Sequence, residues 1–139
     1  VLDVGTGSGV LAIAAARLGF APVLALDHER ESVEATRENA RVNDVAIDVR
    51  RFDLRSERLP WLGHDDAPAG PVVVLANLLR PLLLDLAESI AVAPAQMLAS
   101  GLLVEQADEV VAAFGEHLGM REHRRVQSGE WAAVWLLAS

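Results

Sequence analysis

The sequence predicts an α/β fold in which a doubly wound, mostly parallel sheet of seven strands ends in a C-terminal antiparallel hairpin. Short β-branched or apolar runs alternate along the chain with helical patterns. A glycine-rich turn joins the first run to the first helix, whereas the last segment suggests two extended stretches around a turn at Ser128-Gly129. Strand–helix alternation implies parallel strands with right-handed crossovers and helices on both faces of the sheet.

The predicted strands are short runs bounded by turn residues. Val45, Ile47 and Val49 alternate with Ala46 and polar residues, which indicates a strand with one wetter face. The fourth run is apolar on both faces, as expected at the centre of a parallel sheet. The predicted strands cover residues 1–4, 22–27, 45–50, 71–77, 96–100, 120–127 and 130–137.

Four segments have helical patterns, and the long segment 55–71, rich in Pro, Gly and Asp, is the longest predicted loop. Gly19 and Gly119 follow two of the helices as C-terminal caps, and Asn43 is expected to adopt the left-handed conformation after another. The second helix has a predicted stripe of Val33, the aliphatic stem of Arg37, and Ala40. The helices are predicted at 8–18, 29–42, from Pro81 to Ile90, and 105–118.

Composition excludes several classes of function. The chain has 139 residues, 52% of them apolar, as expected for one ordinary domain, and residues 1–139 are expected to form a single domain. It has no cysteine, which excludes disulfides and thiolate metal sites and suits the cytoplasm. The most apolar zone, 72–93, is interrupted by charged residues and proline, so we expect no membrane span.

Charge indicates the kind of partner. All 12 basic residues are arginine and the net charge is −8, so the chain lacks the positive field that direct nucleic-acid binding requires. A basic protein partner would be attracted by this field. Ordinary acidic solubility is the alternative interpretation.

The glycine-rich turn is the main functional signal. Glycines at positions 5, 7 and 9 allow a sharp bend and close approach of a ligand, and the helix behind them directs free N–H groups towards it. Asp3 disfavours a pyrophosphate but suits an ammonium group, and the spacing G-x-G-x-G departs from the dinucleotide fingerprint. S-adenosylmethionine, with an ammonium, a carboxylate and a sulfonium, therefore fits best. A dinucleotide and a turn that only permits close packing are the alternatives.

Further polar residues fall at predicted carboxyl ends of strands, where α/β sheets bind ligands. Asp27 is a candidate acceptor for the ribose hydroxyls, with helix capping as the alternative. Asp53 could accept a hydrogen bond from the adenine amino group or be a solvated loop carboxylate. His28 lies beside Asp27 as a candidate contact to adenosine. The predicted cofactor-binding residues are Asp3, Gly5, Thr6, Gly7, Gly9, Asp27, His28, Asp53 and Asn77.

Asn77 is also the candidate catalytic residue. It ends a buried strand, where its amide needs partners, either in a neighbouring loop or in a cofactor or incoming nucleophile. The four histidines lack metal-ligand spacing, so no metal is expected, and no serine occupies a nucleophile elbow. Trp131 and Trp135 alternate on the last strand and are predicted to lie in the core.

The segment VLDVGTGSGVLAIAAA resembles motif I of class I S-adenosylmethionine-dependent methyltransferases. The strings VVLANLLRPLLLDLA, LASGLLVEQADEVVAAF and GEWAAVWL are similar to the catalytic domain of the PrmA-type family, which methylates large-subunit ribosomal protein eleven. The resemblance implies a Rossmann-like seven-stranded sheet, with cofactor contacts at Gly5, Asp27 and Asn77. It also implies transfer of a methyl group from S-adenosylmethionine to an amine of a ribosomal protein, with Asn77 where that amine arrives.

Three features depart from the family. Its N-terminal substrate-recognition domain and the upstream residues that help close the cofactor site are absent from the sequence. Ala93-Pro94-Ala95-Gln96 replaces the usual glycine pair before the fifth strand, and the 55–71 loop is longer. Two other hypotheses stand beside the methyltransferase: a degenerate cofactor-binding module without activity, which these departures motivate, and a nicotinamide-dependent oxidoreductase.

Overall fold

The structure, a computed structural model, describes all residues from 1 to 139. Its seven strands and four helices follow the predicted order, and the predicted fold class is confirmed. The strands are β1 Leu2–Val4, β2 Leu24–Asp27, β3 Asp48–Arg51, β4 Val73–Asn77, β5 Gln96–Leu103, β6 Arg121–Ser128 and β7 Trp131–Leu137. The helices are α1 Val10–Arg17, α2 Arg30–Val42, α3 Arg80–Ser89 and α4 Ala107–Leu118, with a 3₁₀ turn at Val104–Gln106 before α4.

The residues form two compact units, Val1–Glu57 and Arg58–Ser139. In the first unit β2 pairs in parallel with β1 on one side and with β3 on the other. The core of this unit is built on the strands, since Leu2, Leu24 and Leu26 are buried almost completely.

Two local expectations for the first unit were wrong. The left-handed residue after α2 is Asp44 (φ 52°), while Asn43 has a φ of −86°. Aspartate, like asparagine, tolerates this conformation because its short side chain bonds locally. The buried stripe of α2 contains Thr36 in place of Arg37, which is exposed and donates to the Val49 carbonyl. Spacings of three and four residues both return to one helix face, so the pattern could not separate the two.

In the second unit β4 pairs in parallel with β5, and β7 is antiparallel to both β5 and β6. Leu83, Leu86, Val110 and Phe114 on α3 and α4 are completely buried. The hairpin turn lies one residue later than predicted because β6 continues through Ser128. The fifth strand is longer than predicted and continues through an irregularity between Ala99 and Leu102.

The predicted core position of the tryptophans was wrong. The buried face of β7 consists of Ala132, Val134 and Leu136, while Trp131 is 50% exposed. Trp135, on the same face as Trp131, is only partly buried, and its indole N–H donates to the Gln96 side chain. Successive residues of a strand point to opposite faces, and both faces of β7 are apolar in sequence. The pattern therefore could not tell which face is covered.

The predicted 55–71 loop contains no helix or strand. Leu59, Trp61 and Leu62 are nevertheless buried, and the backbone N–H of Trp61 donates to the Asp66 carboxylate. The loop is thus fixed by its own apolar residues.

None of the helices is long and apolar enough to cross a membrane.

Candidate cofactor and acceptor sites

The glycine-rich turn between β1 and α1 has the sharp backbone that its sequence predicts. Gly5, Gly7 and Gly9 have φ values of 77°, 58° and 89°, in the left-handed region that side chains other than glycine rarely adopt. The N–H groups of Gly5 and Thr6 both donate to the Leu26 carbonyl at 2.9 Å. These bonds fix the turn at the end of β2.

The glycines differ in what surrounds them. Apart from Gly7 itself and the two adjoining residues, no part of the protein lies within 4 Å of the position a Cβ would occupy on Gly7, which leaves room there for a ligand. At Gly9 the same position is 2.8 Å from the Thr36 methyl carbon. Close packing of α2 therefore accounts for Gly9.

Asp3 is the most unusual group of the turn. Its side chain is buried, and Oδ2 accepts a hydrogen bond from the Thr6 hydroxyl at 2.8 Å, whereas Oδ1 has no partner in the protein. Burial raises the pKa of Asp3 to about 6. The Thr6 hydroxyl and the nearby Ala12 backbone N–H act against this rise, and the Asp27 charge adds to it. A buried acceptor without a donor is rare and unfavourable. A cationic ligand would satisfy this oxygen, so the arrangement fits the ammonium group of S-adenosylmethionine.

Asp27 lies at the end of β2 and is 9% exposed. Its Oδ2 accepts from the Gly7 N–H and its Oδ1 from the Glu29 N–H, both at 2.9 Å. Asp27 does not cap α2, since that helix has Glu29 at its N-cap and no side-chain cap. A carboxylate has about four acceptor positions, so two remain for hydroxyl donors such as those of a ribose.

His28 and Asp53 lie in more solvated surroundings. The His28 side chain is largely exposed, with its ring nitrogens 3.7 Å from Asp27 and 3.8 Å from Glu29. Asp53 follows β3, and its Oδ1 accepts from the Arg55 N–H, which lowers the pKa of Asp53. The proposed contacts of both residues to adenosine remain predictions.

Two residues of α2 that the sequence did not single out contact the turn. The hydroxyl of Thr36, which is completely buried, donates to the Gly7 carbonyl at 2.9 Å. The Asn39 amide donates to the Ser8 carbonyl at 2.8 Å. The sequence offers one indication of this contact, a threonine that lies three residues after Val33 on an otherwise polar helix. The predicted stripe instead contained its neighbour Arg37, so the threonine was not recognised.

Asn77 is exposed at the end of β4, so burial places no demand on its amide. The next residue, Leu78, donates its N–H to the Ser100 carbonyl. A cavity of about 590 Å³ opens here, with a largely apolar wall that includes the half-exposed Trp131 ring. Its lining residues are Asn77, Leu78, Leu79, Ser100, Gly101, Val126, Ser128, Trp131, Ala132 and Ala133.

Hydrogen bonds connect five of the predicted site residues within the first unit, since the Gly9 N–H donates to the Thr6 carbonyl. Thr6 bonds to Asp3, and Gly7 bonds to Asp27. Asn77 belongs to the second unit, where it lines the cavity described above. The structure contains no group of three or more His, Cys, Asp or Glu residues placed to hold a metal ion.

The α/β fold and the acid-flanked glycine turn define a Rossmann-like protein of the methyltransferase type. A solved tRNA (uracil-54, C5)-methyltransferase of Pyrococcus abyssi shares this fold, with a TM-score of 0.70 at 19% identity over 99% of this chain and 33% of that one. The family model described as ribosomal protein L11 methyltransferase (PrmA) matches residues 1–137. The chain belongs to this family.

Individual relatives agree with this assignment. Ribosomal protein L11 methyltransferase of Heliobacterium modesticaldum is 40% identical over 96% of this chain and 41% of its own length. The Bradyrhizobium diazoefficiens protein of the same name is 41% identical over 98% of this chain and 46% of its own length. The crystal structure of a ribosomal protein L11 methylase from Lactobacillus delbrueckii subsp. bulgaricus has a TM-score of 0.81 at 31% identity, covering 99% of this chain and 69% of that one. The chain thus spans less than half the length of these two curated relatives.

Proposed function

We propose that the chain is the catalytic domain of an S-adenosylmethionine-dependent methyltransferase that modifies an amine of a basic protein, a ribosomal protein of the L11 type. The observation that carries the proposal is the unpaired buried oxygen of Asp3 beside a left-handed glycine turn. Relatives named ribosomal protein L11 methyltransferase support the reaction and the substrate class, and such a substrate agrees with action in the cytoplasm.

Each residue of the turn has a distinct role in holding the cofactor. Asp3 accepts a hydrogen bond from the ammonium group, and Thr6 keeps the Asp3 carboxyl in place. Asp27 accepts hydrogen bonds from the ribose hydroxyls, while the hydrogen bonds that it accepts from the Gly7 and Glu29 N–H groups fix its orientation. When bound, S-adenosylmethionine supplies an electrophilic methyl group on a sulfonium. The full proposed set is Asp3, Gly5, Thr6, Gly7, Gly9, Asp27, His28, Asp53 and Asn77.

Asn77 orients the acceptor amine. Its side-chain carbonyl accepts an N–H of the amine and thereby orients the nitrogen lone pair. An amide is not a base, so the proton of an amine with an ordinary pKa of about 10.4 passes to water before attack. Correct positioning lowers the barrier of such reactions by roughly 7–11 kcal/mol, so the displacement needs no strong acid or base.

The first prediction is that Asn77→Ala lowers turnover of L11 by about 100-fold or more, because the acceptor loses its orienting group. Affinity for S-adenosylhomocysteine should fall much less. Radiolabelled methyl transfer and calorimetry on the full-length protein measure the two quantities. Gln127→Ala, which removes another exposed amide of the second unit, is the matched control. An unchanged rate in Asn77→Ala would remove this residue from the mechanism.

The same assays separate the proposal from its competitors. Binding of S-adenosylhomocysteine without transfer to any protein of a ribosomal extract would identify a cofactor-binding module. Tight binding of a nicotinamide dinucleotide that is lost in Asp27→Ala would identify an oxidoreductase. Transfer to a nucleic acid in the same extract would overturn the assignment of a protein substrate.

A further inference from the structure

The buried polar residues of this chain converge on one place. Only four polar or charged residues are buried, and three of them, Asp3, Thr6 and Asp27, belong to the predicted cofactor site. The fourth is Thr36, which is completely buried on α2. We propose that Thr36, assisted by Asn39, is a positioning residue that holds the glycine turn in its cofactor-binding conformation. This inference rests on the function proposed above.

Thr36 contacts the turn through both branches of its side chain. Its hydroxyl donates to the Gly7 carbonyl at 2.9 Å. Its methyl carbon lies 2.8 Å from the position that a Cβ on Gly9 would occupy. One side chain therefore fixes the turn by a hydrogen bond at Gly7 and by packing at Gly9.

The hydrogen bond determines which way a peptide group faces. In a trans peptide the C=O and the following N–H point in opposite directions. Because the Gly7 carbonyl points to α2, the Ser8 N–H points away from that helix. The Ser8 N–H makes no hydrogen bond within the turn, whereas the N–H groups of Gly7 and Gly9 donate to Asp27 and Thr6. Thr36 thus leaves one turn amide directed away from α2 as a donor for an anionic group, such as the cofactor carboxylate.

Asn39 acts one residue further along. Its amide donates to the Ser8 carbonyl at 2.8 Å, so the peptide that follows Ser8 is held to α2 as well. Thr36 and Asn39 are three residues apart and therefore lie on one face of the helix. Rotation of either peptide would break a bond to this face.

The two branches of Thr36 can be tested separately. Thr36→Val keeps the branched shape and removes the hydroxyl, whereas Thr36→Ser keeps the hydroxyl and removes the methyl. We expect Thr36→Val to weaken S-adenosylhomocysteine binding about fivefold and Thr36→Ser by less than about twofold, since the loss of a hydrogen bond worth about 1 kcal/mol changes an equilibrium constant about fivefold. Both variants should lower the melting temperature. Calorimetric titration and thermal unfolding of the full-length protein measure the two effects.

Asn39→Ala provides an independent variant should Thr36→Val fail to fold. Alanine favours helix, so this change should leave the melting temperature nearly unaltered while it weakens binding several-fold. Equal affinity of wild type, Thr36→Val and Asn39→Ala would overturn the inference and leave the proposed function intact. Loss of affinity in Thr36→Ser without loss in Thr36→Val would also overturn it, because packing alone would then explain the effect. Absence of binding by the wild type would overturn the proposed function itself.

Discussion

At the scale of single residues, Asp3 connects the cofactor site to the stability of the fold. Burial raises the pKa of Asp3 from 3.8 to about 6, so the folded state binds this proton more tightly than the unfolded state does. The contribution of Asp3 to the free energy of unfolding therefore decreases as pH rises from about 4 to about 6, and stays low at higher pH. At pH values above about 7, the ionised Asp3 destabilises the ligand-free folded protein by about 3 kcal/mol relative to a carboxyl group whose pKa does not change on folding.

Asp3→Asn is therefore expected to stabilise the protein at pH 7.5 and to bring little gain at pH 4, where Asp3 is protonated in the folded state. The same variant should bind S-adenosylhomocysteine more weakly, because the ammonium loses its counter-charge. Urea unfolding at the two pH values and calorimetry measure these effects. Asp65→Asn, at an exposed position, serves as the control. A variant less stable than wild type at pH 7.5 would contradict this account of Asp3.

At the scale of elements, the irregularity in β5 brings backbone against the candidate catalytic residue. Gly101 lies within it with a φ of 81°. A Cβ on Gly101 would be 2.8 Å from Asn77 Oδ1 and 3.0 Å from the Leu78 carbonyl oxygen. The strand thus leaves space for the Asn77 amide only because residue 101 is glycine.

Gly101→Ala should displace Asn77 and lower turnover at least tenfold, since small misplacements of positioning groups have large effects on rate. Gly129→Ala is the matched control: its φ of 60° imposes similar strain of about 1–2 kcal/mol, but no atom lies within 4 Å of its added Cβ. Gly101→Ala should lose more stability than Gly129→Ala because its Cβ also collides with the Leu78 carbonyl, and only Gly101→Ala should lose activity in the folded protein. Equal activities of the two variants would argue against a role for this contact. Steady-state kinetics and thermal unfolding make the comparison.

At the scale of the whole molecule, the net charge of −8 favours encounter with a basic substrate. Screening over a Debye length of about 10 Å at 0.1 M salt should weaken this attraction. We expect kcat/KM for L11 to fall as salt is raised, while kcat at saturating substrate stays nearly constant. Initial rates over a salt series provide the measurement. A kcat/KM that does not respond to salt would show that this charge serves solubility alone.

Much of this protein could be predicted from local sequence. The order of strands and helices, the glycine turn, and the position of Asp27 at the end of a strand follow from periodicity and turn chemistry, which act between near neighbours. The sequence did not reveal the exposure of Trp131, the buried place of Thr36 in α2 or the exposed amide of Asn77. In each case the pattern was compatible with more than one buried face.

The sequence by itself determined the elements and the residue types at their ends, because backbone propensities and side-chain periodicity are local properties. Only the tertiary structure decided that one oxygen of Asp3 has no partner and that Thr36 holds Gly7. Burial and hydrogen bonding depend on which distant segments pack together: Gly7 and Thr36 are 29 residues apart in the chain but bonded in the fold. The chemistry proposed for the turn depends on that packing.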